Sequence, residues 1–582
     1  MKLLFIARHA GYFRNYDSVL RELARRGHHV HLAVEKQDSL GALEVVEALA
    51  RDCPGISSAM VPEERIDIWS TVSRFLRLGL DYVRYLDPFF DTAPLRRLRA
   101  YNRTPRWLTL LADPPLLRGP RWRRVVGRLL HGIDTSVAPP PAMIEFLQRE
   151  QPDAVLITPF VDLGSLQVDY LRAARMLGIP CGLPIWSWDH LTTKALIRDR
   201  PDRVFVWNDI QRREAVDIHG IPADRVVVTG AQCFDHWFAR RPSRSREAFC
   251  ASLRLPADRP LLLYVCSAVI EGSAPEHEFV PEWLEWVRSS PDPRVAGAAV
   301  LIRPYPTKLT VWHDVDLSAY GPVAVWGGNP FDEQARSDYF DSLFHSAAVV
   351  GLNTSAFLEA GIVGRDVLAI LVPRYHDSQE GSPHFNYLMK IGGGLLQVAR
   401  DREGHLGQIG AAVRRPLAGP HPYRAFVETF IRPGGFDTDA TTALAQGIED
   451  LAACTVTVDA ASPAAVRRRA ALERIVWMSS RLFSPAASEW SRKVGGMERK
   501  RRFKEGKERA TEARRAERLR AHQARRAEKE QARERRTREK QQLREARLHE
   551  QERRQRAERQ RAARRRRTEL KQLIKKKLGL AS

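Results

Sequence analysis

Between Val349 and Ile370 the chain reads as strand, polar turn, short helix and strand. Residues 347–352 form an apolar run suited to a buried parallel strand. Asn353, Thr354 and Ser355 are residue types that begin helices, and Phe357, Leu358 and residues 360–363 supply the apolar part of a short helix. Gly364 can end that helix, and residues 367–372 make the next strand. A unit of this kind belongs to an α/β domain with a parallel sheet. Small polar residues at a helix start, just past the carboxyl end of a strand, also make an anion site, because backbone N–H groups and the helix dipole face the ligand. Glu359, one turn on, is placed to accept hydrogen bonds from a sugar hydroxyl. An ordinary strand–helix junction with a good cap would carry the same residue types.

The amino-terminal end repeats the pattern. Residues 2–7 are a short apolar strand, 8–15 a polar loop, 16–26 a helix with Val19, Leu20 and Leu23 on one face, and 30–34 a second strand after the stop at Gly27. This is the opening of a doubly wound domain, whose ligands bind in the loop after the first strand. That loop holds His9, Gly11, Arg14 and Asn15. Gly11 permits close backbone approach. His9 has the chemistry of a general base near neutral pH, or it caps and packs. A later strand, 179–183, runs into a polar and aromatic loop in which Trp188, Asp189, His190 and Lys194 are cleft-lining candidates. The alternative for that loop is a buried Trp pair with a capping Asp. The expected fold is α/β, two Rossmann-like doubly wound domains facing a cleft, followed by a long basic C-terminal helix. Residues 1–240 form the first domain, containing a basic, aromatic helical insertion at 65–131. Residues 241–260 are a linker, 261–490 the second domain with closing helices, and 491–582 an Arg/Glu/Ala-rich tail.

Charge is unevenly distributed along the 582 residues. The tail carries 36 Lys+Arg and 14 Asp+Glu, leaving 57 and 56 on residues 1–490. The strongly basic balance therefore belongs to the tail, which argues against a nucleic-acid-binding body. The tail is rich in helix formers with few apolar residues, so a solvated single helix is expected, attracted to anionic surfaces; sequence-specific nucleic-acid reading is not expected. The insertion at 65–131 holds 14 Arg against 5 Asp with interleaved aromatics. Such helices lie on an anionic membrane face, line an acceptor groove, or turn their arginines to water. Six scattered cysteines without paired spacing read as reduced and structural, in keeping with a cytoplasmic protein, which the basic insertion and tail would hold at the inner membrane face. No apolar run approaches the roughly 20 residues of a membrane span.

Several motifs together resemble the GT-B-fold glycosyltransferases and their relatives, the CDP-glycerol glycerophosphotransferases and the non-hydrolysing UDP-N-acetylglucosamine 2-epimerases. They are Pro201 to Asn208, Glu214, His219-Gly220-Ile221-Pro222 and Phe234-Asp235 at the end of the first domain, Ile302-Arg303-Pro304-Tyr305-Pro306, and residues 353–361. The resemblance implies a nucleotide-diphosphate sugar bound in the second domain as a substrate, and a glycan or lipid-linked acceptor. By this analogy Thr354 and Ser355, beside Asn353, meet the diphosphate and Glu359 the ribose. Arg303 and Lys308 neutralise the leaving group, so neither metal nor cofactor is required, and no DxD-type metal site is evident. His9, the expected base, and Asp189 face the acceptor, with Gly11, Arg14, Trp188, His190 and Lys194 around them. Tyr305 stands where that group often has His, and the epimerases' full acid–base set is not found at matching positions.

Overall fold

The computed structural model describes residues 1–36, 43–62, 68–114, 119–267, 274–328, 330, 333–416, 421–456, 467–468, 470–471, 474, 553 and 555–573. The chain forms two compact units, Met1–Ala471 and Leu472–Ser582. Most of the expected tail helix lies outside the described residues; within it, residues 555–573 are helical and exposed.

The first unit contains two wholly parallel sheets. The first comprises β1 (Lys2–His9), β2 (His29–Lys36), β3 (Ile56–Met60), β4 (Ala154–Thr158), β5 (Cys181–Pro184), β6 (Arg203–Val206) and β7 (Val226–Val228), in the order β3-β2-β1-β4-β5-β6-β7. The second comprises β8 (Leu261–Val265), β9 (Ala299–Arg303), β10 (Val323–Val325), β11 (Ala348–Gly351), β12 (Asp366–Ile370) and β13 (Leu396–Ala399), in the order β10-β9-β8-β11-β12-β13. The central strands are buried throughout, as their unbroken apolar runs require when helices cover both faces. Winding direction reverses between β1 and β4 in one sheet and between β8 and β11 in the other. Ligands of doubly wound sheets bind beyond the carboxyl ends of strands at these reversals.

Two segments lie elsewhere than the sequence reading places them. The expected linker contains the helix Arg246–Leu253, whose Phe249 and Cys250 are buried in the core of the second sheet. The helix Ala440–Ala452 packs on the first sheet, not the second, because Leu444, Ile448 and Leu451 join Leu156 and Phe205 there. Close approach explains this fit: a Cβ at Gly447 would stand 2.8 Å from Phe205, and one at Gly182 would stand 2.7 Å from Leu451.

The basic insertion forms the helices Ile68–Tyr85, Pro94–Arg103, Arg106–Ala112 and Pro120–Asp134 around its own apolar cluster. Several of its charges are structural. Arg77 is fully buried and bonds Asp134 at 3.0 Å and Asp169 at 2.6 Å, while Arg172 bridges Asp134 and Asp199 at 2.6 Å each. Arg198 pairs with the buried Asp81. These pairs fasten the insertion to the first domain.

Candidate active site

At the reversal in the second sheet, β11 ends in the polar turn and the helix Ala356–Ile362 begins. Ser355 is exposed and its side chain makes no cap bond; Thr354 Oγ1 accepts from the Ala356 amide at 3.4 Å. The Asn353 amide turns away to donate to the Ser378 carbonyl. Glu359 faces the adjoining helix Glu333–Phe344, where the Tyr339 hydroxyl donates to its Oε2. Burial raises the Glu359 carboxyl to about 7, against the hydrogen bond from Tyr339 and the charges of Arg14 and Arg303.

Arg303, the last residue of β9, lies over the Tyr339 ring at 4.8 Å and the Trp326 ring at 5.4 Å. It is 5% exposed, and burial lowers its pKa. Its Nη2 reaches the Gly328 carbonyl at 3.5 Å, and among the described residues Nη1 has no hydrogen-bond partner. Gly327 has φ +120°, and a Cβ there would stand 2.5 Å from the guanidinium carbon. The cation therefore needs glycine beside it. Lys308 is exposed on the short 3-10 stretch Pro306–Asp314. Where β8 ends, Glu276 accepts from the Ser267 amide at 2.6 Å, the Ser267 hydroxyl at 2.9 Å and the Tyr264 hydroxyl at 3.0 Å. Burial raises that carboxyl to about 7.

The first domain contributes from the end of β1. His9 is half-buried and tilts onto Tyr12, ring centres 4.2 Å apart; Gly11 and Arg14 lie on the following 3-10 helix Ala10–Tyr16. Arg14 is near enough to act on Glu359 across the two domains. Tyr12 meets Trp186, which meets His190 edge to face at 4.7 Å. Trp188 packs edge to face on His384 of the second domain at 4.7 Å. Burial lowers His190 to about 3 and His384 to about 4, so both imidazoles are neutral near pH 7.

Asp189 does not suit the catalytic role expected of it. Ser187 donates to its Oδ1 at 2.5 Å and Thr193 to its Oδ2 at 2.8 Å. Burial pushes its carboxyl up, but His384, Lys194 and the Ser187 hydroxyl outweigh that and hold it well below the usual range. So weak a base takes no proton near pH 7, and the residue clips its own loop. The Lys194 carbonyl accepts from Arg84 and, at 2.6 Å, from Tyr85. Tyr339, Trp326 and His384 complete the site without a signal in the sequence, as does Gly327, which only the fold brings beside Arg303. Among the described residues, no group of three His, Cys, Asp or Glu is arranged to hold a metal ion.

No family model matches the chain, and no curated protein matches it. Its fold is similar to solved sugar-nucleotide epimerases and glycosyltransferases. The UDP-GlcNAc 2-epimerase from Neisseria meningitidis bound to UDP-GlcNAc is 12% identical with a TM-score of 0.43, over 77% of this chain and 100% of that one. Anabaena Alr3699/HepE in complex with UDP gives 11% and 0.44, over 78% and 100%. WaaG, a glycosyltransferase involved in lipopolysaccharide biosynthesis, gives 13% and 0.39, over 77% and 99%. At this distance the likeness is one of outline, and any function has to be argued from the side chains.

Proposed function

We propose that the protein is a glycosyltransferase that moves a sugar from a nucleotide-diphosphate donor to a glycan or lipid-linked acceptor at the inner membrane face. One observation carries the reading: the Arg303–Tyr339–Glu359 constellation at the reversal of the second sheet, with the charge of Arg14 acting on Glu359 from the first domain. A buried guanidinium with an unfilled donor beside a glycine cradle suits a diphosphate, and a carboxyl held by a tyrosine suits a ribose diol. In the proposed reaction the acceptor hydroxyl attacks the anomeric carbon as the bond to the diphosphate breaks. His9 takes the hydroxyl proton, and Arg303 and Lys308 balance charge on the leaving diphosphate. Thr354 and Ser355 offer hydroxyls at the same strand end.

The insertion supports a membrane-bound acceptor. Leu98, Tyr101, Trp107, Leu110, Val125 and Leu129 are 43–63% exposed on its helices, alongside exposed Arg99, Arg106 and Arg124. Arginines interleaved with apolar side chains suit an anionic lipid surface.

The test is calorimetry on the full chain with UDP-, GDP-, CDP- and CMP-linked sugars. One preferred donor is expected, bound by wild type and lost in a folded Glu359→Ala variant. Absence of binding to every donor, or unchanged affinity in Glu359→Ala, overturns the reading. Turnover of the preferred donor without any acceptor would move the activity to epimerisation.

A further inference from the structure

A cavity of about 1170 Å³ opens in the first domain, between the insertion helices Ile68–Tyr85 and Pro120–Asp134 and the segments around 196–202 and 217–220. Eight arginines and four aspartates line it. The aspartates are largely committed or in solvent. Asp199 is held by Arg172 at 2.6 Å, Asp202 accepts from the Cys181 amide at 2.9 Å, Asp87 caps the turn at Phe89, and Asp217 is exposed.

Arg123 pairs with Asp113 at 3.3 Å and Arg225 with Asp202 at 3.9 Å, whereas Arg84 and Arg198 are less well matched. Arg84 is 7% exposed, and its two terminal nitrogens bond the Lys194 and Leu191 carbonyls. Among the described residues no carboxylate pairs with it directly, although Asp81 and Glu214 act on its charge; its guanidinium lies over the Tyr85 ring at 5.1 Å and the Phe90 ring at 4.9 Å, and its Nε has no hydrogen-bond partner. Arg198, also 7% exposed, spends Nη2 on Asp81 and the Arg77 carbonyl, leaving Nη1 and Nε without partners among the described residues. Arg123 leaves a buried Nε in the same state. Buried donors are normally satisfied. Arg84, Arg123 and Arg198 line one cavity together with five further arginines, and its remaining wall includes Leu80, Val83, Phe90 and Ile197.

We infer that this cavity is a binding site for an organic phosphate, its phosphate group on the arginines and an apolar substituent along the aliphatic and aromatic wall. Guanidinium groups match phosphate oxygens in geometry as well as charge. The site is distinct from the donor cleft and does not rest on the reading given for it, although Arg84 ties the cavity to the loop carrying His190 and Lys194. The phosphate belongs either to a lipid headgroup or to a soluble ester.

The test uses the full chain and two probes: inorganic pyrophosphate, and dihexanoyl phosphatidic acid below its micelle concentration. Gly127 lines the cavity, and a Cβ there meets nothing nearer than Val83 at 3.9 Å. Gly127→Phe therefore plugs the space without removing a charge and improves helix propensity. At least one probe should bind wild type, and Gly127→Phe should weaken it about tenfold or more, the scale of one lost charge-assisted contact. Glu359→Gln should leave that affinity unchanged. Preference for phosphatidic acid assigns a lipid source, and equal binding of pyrophosphate a soluble one. If neither probe binds, or if Gly127→Phe binds as wild type does while Arg124→Glu/Arg128→Glu does not, the arginines are only a charged surface and the inference fails.

Discussion

Glu359 shows how one carboxyl ties the site to solution conditions. Its folded pKa of about 7 lies above the ordinary value of roughly 4.3. The folded state therefore holds this proton where the unfolded chain has lost it. Its contribution to stability is fully present below about pH 4 and is lost as pH rises through about 7. Glu276, also near 7, and Glu214, which burial raises to about 8, act in the same direction. Melting temperature should thus fall between pH 6 and pH 8.5 in the ligand-free protein. Glu359→Gln should flatten part of that slope, gaining on the order of 1–3 kcal/mol over wild type at pH 8.5 and little at pH 5. Parallel melting curves for the two proteins across this range would show that Glu359 is not the titrating group.

Individual elements differ in how openly the sequence declares them. Strands β1, β8 and β11 are legible because burial on both faces demands unbroken apolar runs, and the polar turns after β1 and β11 follow from them. Edge strand β3 was not legible: only Ile56 is buried and the next four residues are exposed, so no apolar run marks it. The constellation around Arg303 was half legible, since Arg303 and Glu359 stand at strand and helix ends while Tyr339 arrives from a helix with no special pattern. Asp189 misled because an acidic residue after a strand looks the same whether it reacts or clips a loop. The insertion's arginines could not be divided from sequence; Arg77 is buried, whereas Arg99, Arg106 and Arg124 are exposed. The exposed share makes a prediction for the helices Pro94–Arg103 and Arg106–Ala112. At about 0.5 M salt the screening length is near 4 Å, which removes most attraction by arginines or tail and leaves apolar insertion. Trp107→Ser/Leu110→Ser should then reduce co-sedimentation with phosphatidylglycerol-containing vesicles by about tenfold or more, since each side chain contributes roughly 1.5–3 kcal/mol when buried. Equal sedimentation of variant and wild type at that salt would remove this face from membrane contact.

Across the first compact unit, the two sheets are joined by the chain leaving β7 and by its later return into the helix Ala440–Ala452. Asp235 stands where these crossings meet. It accepts from Arg432 Nε at 3.0 Å and Nη2 at 2.7 Å, and from the Thr441 amide at 2.7 Å and hydroxyl at 2.6 Å. Both partners of the ion pair are about nine-tenths buried. Removing the carboxylate leaves Arg432 buried without its anion, a loss of roughly 3–5 kcal/mol, whereas an exposed helix cap contributes about 1 kcal/mol. Asp439 is such a cap on the same helix, accepting from the Thr442 amide at 2.6 Å. Hydrogen exchange across the returning helix separates the two cases. Asp235→Ala should speed exchange of its central amides by about a hundredfold or more, and Asp439→Ala by only about fivefold. If Asp439→Ala matched or exceeded Asp235→Ala, the helix would be held by its own cap and its packing on Phe205. The Asp235 junction would then have no special part in joining the two sheets.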